Sequence, residues 1–143
     1  MRLRLILPLL CVAATARAEP SPLGRWWTED RSGVIEIARC GEALCGRIVG
    51  QPQPRNPDGS LPVDIHGVPH CDLTILHDAT ETEPGRWRGR ITDPETGQDW
   101  RCELSIAADG ALRLRGYLLV PLLGQTQIWP PFQGSVKKDC TIG

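Results

Sequence analysis

The chain has 143 residues, 23% of them charged, and a formal net charge of −1. With no run of Lys or Arg, this balance excludes a nucleic-acid binder, which presents a basic face to phosphate. No second apolar span and no basic amphipathic stretch follows the N-terminus, which excludes a membrane span or a membrane-surface helix of the usual kind.

Residues 1–18 read as a secretory signal peptide. Arg2 and Arg4 supply the positive start, Leu3 to Ala14 is a short apolar run, and Ala16-Arg17-Ala18 is a small-x-small cleavage pattern. Leu10, before Cys11, is not the small residue that a lipoprotein cleavage site needs, so no lipid anchor is expected. Cleavage would leave 125 residues starting at Glu19, with 13 basic and 17 acidic side chains and a net charge of −4. That length suits one core, so residues 19–143 are expected to form a single domain, periplasmic or secreted.

No segment carries a helical apolar stripe. Short runs of period-two alternation, separated by Gly, Pro and Asp turns, predict eight strands. They begin near Gly24, Val34, Cys45, Cys71, Arg86, Asp99, Ala111 and Gln125. The expected fold is all-β: a small antiparallel meander β-barrel of about eight strands, lipocalin-like. Gly24-Arg25-Trp26 supports this, because Gly-x-Trp at the first strand resembles lipocalin-like barrels, where the indole plugs one end. The long connection, Gly50 to His70, holds Pro52, Pro54, Pro57, Pro62 and Pro69. An ordered loop of that length is usually functional, and it is expected to cover one mouth of the barrel.

Three strands can be registered from sequence, because a slip of one residue moves every side chain to the other face. A three-residue loop, Ala108-Asp109-Gly110, sets Ile106 opposite Leu112 and Leu104 opposite Leu114, with Gly110 at the left-handed position. The loop Pro94-Glu95-Thr96-Gly97 sets Ile91 opposite Trp100 and Trp87 opposite Leu104. Glu103 then lies between Arg88 and Arg115 on the outer face, where exposed pairs contribute only about 0.2–1 kcal/mol each. The interior row Gly89, Cys102, Gly116 leaves space for a disulfide partner, a close-packed Trp or a ligand, or lets the sheet coil tightly.

Five cysteines follow the leader, and in an exported protein they are expected to pair. Cys40 and Cys45 bracket a hairpin tip and are expected to be joined. Cys102 is expected to pair with Cys71 or Cys140, with Cys71 preferred because Cys71, Leu73 and Ile75 share a face. The odd cysteine is either free or links two chains.

Catalytic constellations are poor. None of Ser21, Ser32, Ser60, Ser105 and Ser135 sits in a Gly-x-Ser-x-Gly elbow, and no carboxylate pair falls on one inward face. Asp93 could end its strand facing inward, but its turn sequence explains it. His66, His70 and His77 enclose Cys71, yet two lie in the Pro-rich loop, and a disulfide would remove the thiolate. Neither a catalytic nor a metal site is assigned, and no cofactor is expected.

The ordered set Gly24-x-Trp26, Cys40 to Cys45-Gly46-Arg47-Ile48, Trp87-Arg88-Gly89-Arg90-Ile91, Asp93-Pro94-x-x-Gly97, Arg115-Gly116-Tyr117 and Leu123-Gly124-Gln125-Thr126-Gln127-x-Trp129 resembles one family. It is the bacterial secreted family labelled domain of unknown function 2147. The resemblance implies a small β-barrel-like domain in the envelope or outside the cell, and implies no reaction. Where the family usually has a polar and then a basic residue after the last Trp, Pro130-Pro131 follows here, and Trp100 stands where Tyr is usual.

The expected function is binding of a small apolar or amphipathic ligand by a monomer, with Trp87, Trp100, Leu104, Leu112 and Leu114 facing the interior. The alternative is an envelope protein–protein interaction module or inhibitor whose barrel is filled by its own side chains.

Overall fold

The computed structural model describes residues 11–14 and 19–143. Apart from 11–14, the leader assigned to residues 1–18 lies outside the described residues. Eight strands run in chain order: β1 Gly24–Trp27, β2 Val34–Cys40, β3 Ala43–Gly50, β4 Thr74–Glu83, β5 Arg86–Thr92, β6 Asp99–Ile106, β7 Leu112–Tyr117 and β8 Gln125–Trp129. Each pairs antiparallel with the next, giving one sheet without crossovers. The described helix is a single 3-10 turn, Pro121–Leu123.

The sheet closes nearly into a barrel through the residues after β8. Trp27 N donates to Pro130 O at 2.8 Å and Phe132 N to Arg25 O at 2.9 Å, on either side of a Trp26–Pro131 bridge. The two prolines lack N–H groups, so this closing ladder draws its donors from Trp27 and Phe132. The fold is therefore the eight-stranded antiparallel meander barrel that the alternation predicts.

The predicted registers are the observed ones. Trp87 faces Leu104, Gly89 faces Cys102 and Ile91 faces Trp100 across β5 and β6. Cys102 faces Gly116, Leu104 faces Leu114 and Ile106 faces Leu112 across β6 and β7. The turn before β7 closes as its sequence requires: Gly110 adopts φ 87°, and Ala111 N donates to Asp109 Oδ1 at 3.0 Å. On the outer face Glu103 pairs in register with Arg88 and Arg115. Its carboxylate meets Arg86 and Arg88, each at 3.3 Å.

Inward residues form one cluster that includes Trp26, Ile35, Ile37, Leu44, Leu76, Trp87, Leu104, Leu112 and Trp129. Trp26 is buried in this cluster and donates its indole N–H to Pro22 O at 2.9 Å.

Cys40 and Cys45 are joined, as expected from the hairpin. The second disulfide is Cys71–Cys140, which corrects the expected pairing of Cys102 with Cys71. The reason is the path of the C-terminal tail. Asp72 N donates to Ile48 O and Gln51 N donates to Cys140 O, both at 2.8 Å, so the end of β3 brings the two cysteines together. Cys102 points into the middle of the barrel, out of reach of either. It is a free, fully buried thiol, and burial pushes its pKa up to about 12. A thiol so enclosed does not link two folded chains.

Candidate ligand cavity at the open end of the barrel

The tight hairpin turns between β2 and β3, β4 and β5, and β6 and β7 gather at one end of the barrel. The loops 28–33, 51–73, 93–98 and 118–124 gather at the other. The turn end is filled: Leu44, Leu104 and Leu112 are fully buried and Trp87 nearly so. The loop end is not filled. A cavity of about 310 Å³ lies there, with Ile75, Ile91, Trp100 and Leu114 as its apolar wall and Thr92, Asp93, Gln125 and Gln127 at its polar edge.

Of the five expected ligand-facing residues, the structure brings Trp100 and Leu114 to this cavity. Trp87, Leu104 and Leu112 face inward too, but line no part of it; Leu114 belongs both to the packed core and to the cavity wall. Alternation assigns a side chain to a face; it carries no information on depth along the barrel, and depth separates the two groups.

The glycine row divides in the same way. A Cβ added at Gly89 would lie 2.7 Å from His77 O and 2.9 Å from Ala79 Cα, because β4 approaches β5 closely at an irregular register. A Cβ at Gly116 would meet only Trp100 Cβ, at 3.9 Å, and Gly116 lines the cavity. One glycine therefore permits close backbone packing, and the other leaves room beside an indole.

The Pro-rich loop lies against this end, as expected. Ile65 N donates to Pro94 O at 3.2 Å, and the Ile65 side chain sits where a Cβ on Gly97 would be. Under the loop is a second cavity of about 530 Å³, which shares Ile75 and Pro94 with the first. Its wall includes Thr28, Arg31, Ser32, Gln51, His70 and Glu95. Gln51, Gln125 and Gln127 had no signature in sequence, and His70 stood out only beside Cys71, as a metal ligand that was not assigned. Only the alternation of Gln125 and Gln127 with Trp129 on one strand could have marked two of them.

Charge around the opening is mixed. The Asp93 carboxylate accepts Glu95 N–H at 2.9 Å within the β5–β6 turn, so turn chemistry and an inward position hold together. Hydrogen bonds from Ser32 hold the Asp30 carboxyl below its usual range. At the cavity edge Thr92 Oγ1 donates to Asp99 and lies 3.3 Å from His77 Nε2. Burial, with Arg90 nearby, holds His77 below the usual imidazole value. Among the described residues no three His, Cys, Asp or Glu side chains converge on a point where a metal could sit. Cys71 is committed to Cys140.

A family profile described as an uncharacterized protein conserved in bacteria, domain of unknown function 2147, matches residues 24–130. The structure is similar to that of protein HP1028 from the human pathogen Helicobacter pylori, which is described as belonging to the lipocalin family. The TM-score is 0.61 at 14% identity, covering 79% of this chain and 84% of that one. At that identity the likeness speaks for the fold alone. No curated protein matches the sequence.

Proposed function

The chain belongs to the family of uncharacterized bacterial proteins with domain of unknown function 2147, and we propose that it is an exported carrier of a small apolar or amphipathic molecule. The observation that carries this reading is the apolar cavity of about 310 Å³ between Trp100 and Leu114, at the loop end of a barrel whose turn end is packed. Its volume lies at the lower edge of the range for small-molecule sites. A lipocalin-like barrel is compatible with such a ligand. Two disulfides suit an oxidising compartment outside the cytoplasm. Among the described residues no helix is long and apolar enough to cross a membrane.

The test is titration with the apolar fluorophore N-phenylnaphthylamine. Probe emission should rise on binding to the parent protein. In Leu114→Trp the bulk enters open space, so binding should be lost while the melting temperature holds. A parent protein that leaves the probe dark, with a Leu114→Trp variant that is destabilised, would sink the carrier reading.

A second reading, an interaction module of the envelope, is favoured by the β7–β8 loop. There Leu119 and Leu122 are 80% and 85% exposed, more apolar surface than a lone loop usually presents. Replacing both by Ser should abolish complex formation with an envelope partner on that reading and leave probe binding unchanged on the carrier reading.

A further inference from the structure

The cavity beneath the Pro-rich loop holds two polar side chains that the fold itself does not use. Gln51 is only 8% exposed, and its backbone is engaged: its N–H donates to Cys140 O and it bridges Thr141. Its side-chain amide makes no hydrogen bond within the described residues, and it lines the cavity. His70 lines the same cavity, and its Nε2 is buried without a partner. A polar group withdrawn from water and left unpaired costs stability. The buried Nε2 of His70 is poorly explained by folding alone, and the uncommitted Gln51 amide faces the same cavity.

We propose that this cavity is a head-group site for a nonionic amphiphile with a hydroxylated head, held by Gln51 and His70; this rests on the carrier reading. The chemistry selects the class. An amide offers both donors and an acceptor, and an imidazole ring nitrogen can donate or accept. A hydroxyl, which both donates and accepts, matches either side chain. Thr28 and Ser32 add hydroxyls to the same wall. The ionised side chains there are one of each sign, Arg31 and Glu95, so neither a cationic nor an anionic head gains a clear advantage. About 530 Å³ suits a head of one sugar ring. The boundary with the apolar cavity runs along Ile75 and Pro94, so a tail lying against Trp100 and Leu114 leaves its head at Gln51 and His70.

The experiment uses three probes with the same octyl tail, below their micellar concentrations: octyl glucoside, octyltrimethylammonium and octyl sulfate. Each competes with N-phenylnaphthylamine on the full mature protein. Octyl glucoside should compete about tenfold better than either ion, the order expected for one or two added hydrogen bonds. Gln51→Leu should remove that preference while N-phenylnaphthylamine still binds, and His70→Phe should reduce it separately. Neither variant should melt below the parent, because neither side chain makes a hydrogen bond that its replacement would break. If Gln51→Leu fails to fold, His70→Phe alone decides the point by the same competition. Equal competition by all three probes, or an unchanged glucoside preference in the folded variants, overturns the head-group site and leaves the carrier reading intact. Failure of the parent to bind N-phenylnaphthylamine or any octyl probe overturns both.

Discussion

The two ends of this barrel are built from the same alternating strands and differ in what the strands enclose. At the turn end Leu104 and Leu112 are fully buried among Trp87, Leu44 and Trp129. At the loop end Trp100 and Leu114 stand beside open space. Leu104 and Leu114 are direct partners across β6 and β7, so the boundary between packed and hollow passes between neighbours. Hydrophobic patterning thus decides which side chains point inward. Whether they meet one another depends on the glycines and loops that set how closely the walls approach.

The sharpest test of that boundary is one substitution at the two partners. Leu104→Ala should cost about 3–5 kcal/mol, because its surroundings cannot collapse onto the void. Leu114→Ala should cost about 2 kcal/mol or less, since one side of Leu114 already lacks neighbours. Urea unfolding of both variants measures the gap, and equal losses would show that the loop end is filled.

The disulfides contrast in a similar way. Cys71–Cys140 spans 69 positions and ties the C-terminal tail to the loop end, whereas Cys40–Cys45 spans 5 at a turn. On loop entropy, replacing Cys71 and Cys140 by Ser should cost about 4 kcal/mol and replacing Cys40 and Cys45 about 2 kcal/mol. Thermal melts of the two double variants read the difference.

Cys102 lies on the row between the two halves. Its thiol binds its proton more tightly in the folded protein, at about 12, than at the ordinary value of 9.0. The stability from this group is therefore fully present below pH 9 and is lost as pH rises toward 12. The loss is up to about 4 kcal/mol. In Cys102→Ala that part of the alkaline decline should vanish. A parallel decline in both proteins would mean that solvent reaches the thiol.

The glycines give the smallest effects and a difference in sign. Gly89→Ala should destabilise by about 1–3 kcal/mol, since its methyl would press on the β4 backbone. Gly116→Val should leave stability unchanged or raise it by about 1 kcal/mol while filling the cavity and weakening N-phenylnaphthylamine binding. Melting curves with a probe titration decide this, and a Gly116→Val variant that both melts early and binds normally would remove the assigned cavity.

The strand count, the pairing of β5, β6 and β7 and the Cys40–Cys45 bridge were legible in the sequence. Period-two alternation together with a left-handed Gly110 admits few registers, and both signals are local. The Cys71–Cys140 bridge was not legible, because it depends on where a tail lands after crossing the sheet. Nor does Cys71 share a strand face with Leu73 and Ile75, because it lies in a turn before β4 where Asp72 adopts φ 71°. The division of Trp87, Leu104 and Leu112 from Trp100 and Leu114, which differ in depth and not in orientation, was not legible either. Gln51 and His70 were invisible as a pair. Their meeting arises only when the Pro-rich loop folds back over the end of β3, where His70 N donates to Pro62 O and Pro62 joins the cavity wall. Local alternation and turn chemistry therefore determined the barrel. Long-range chain crossings decided its disulfide, its hollow end and the polar pair beneath the loop, because such contacts leave no periodic trace in the residues that make them.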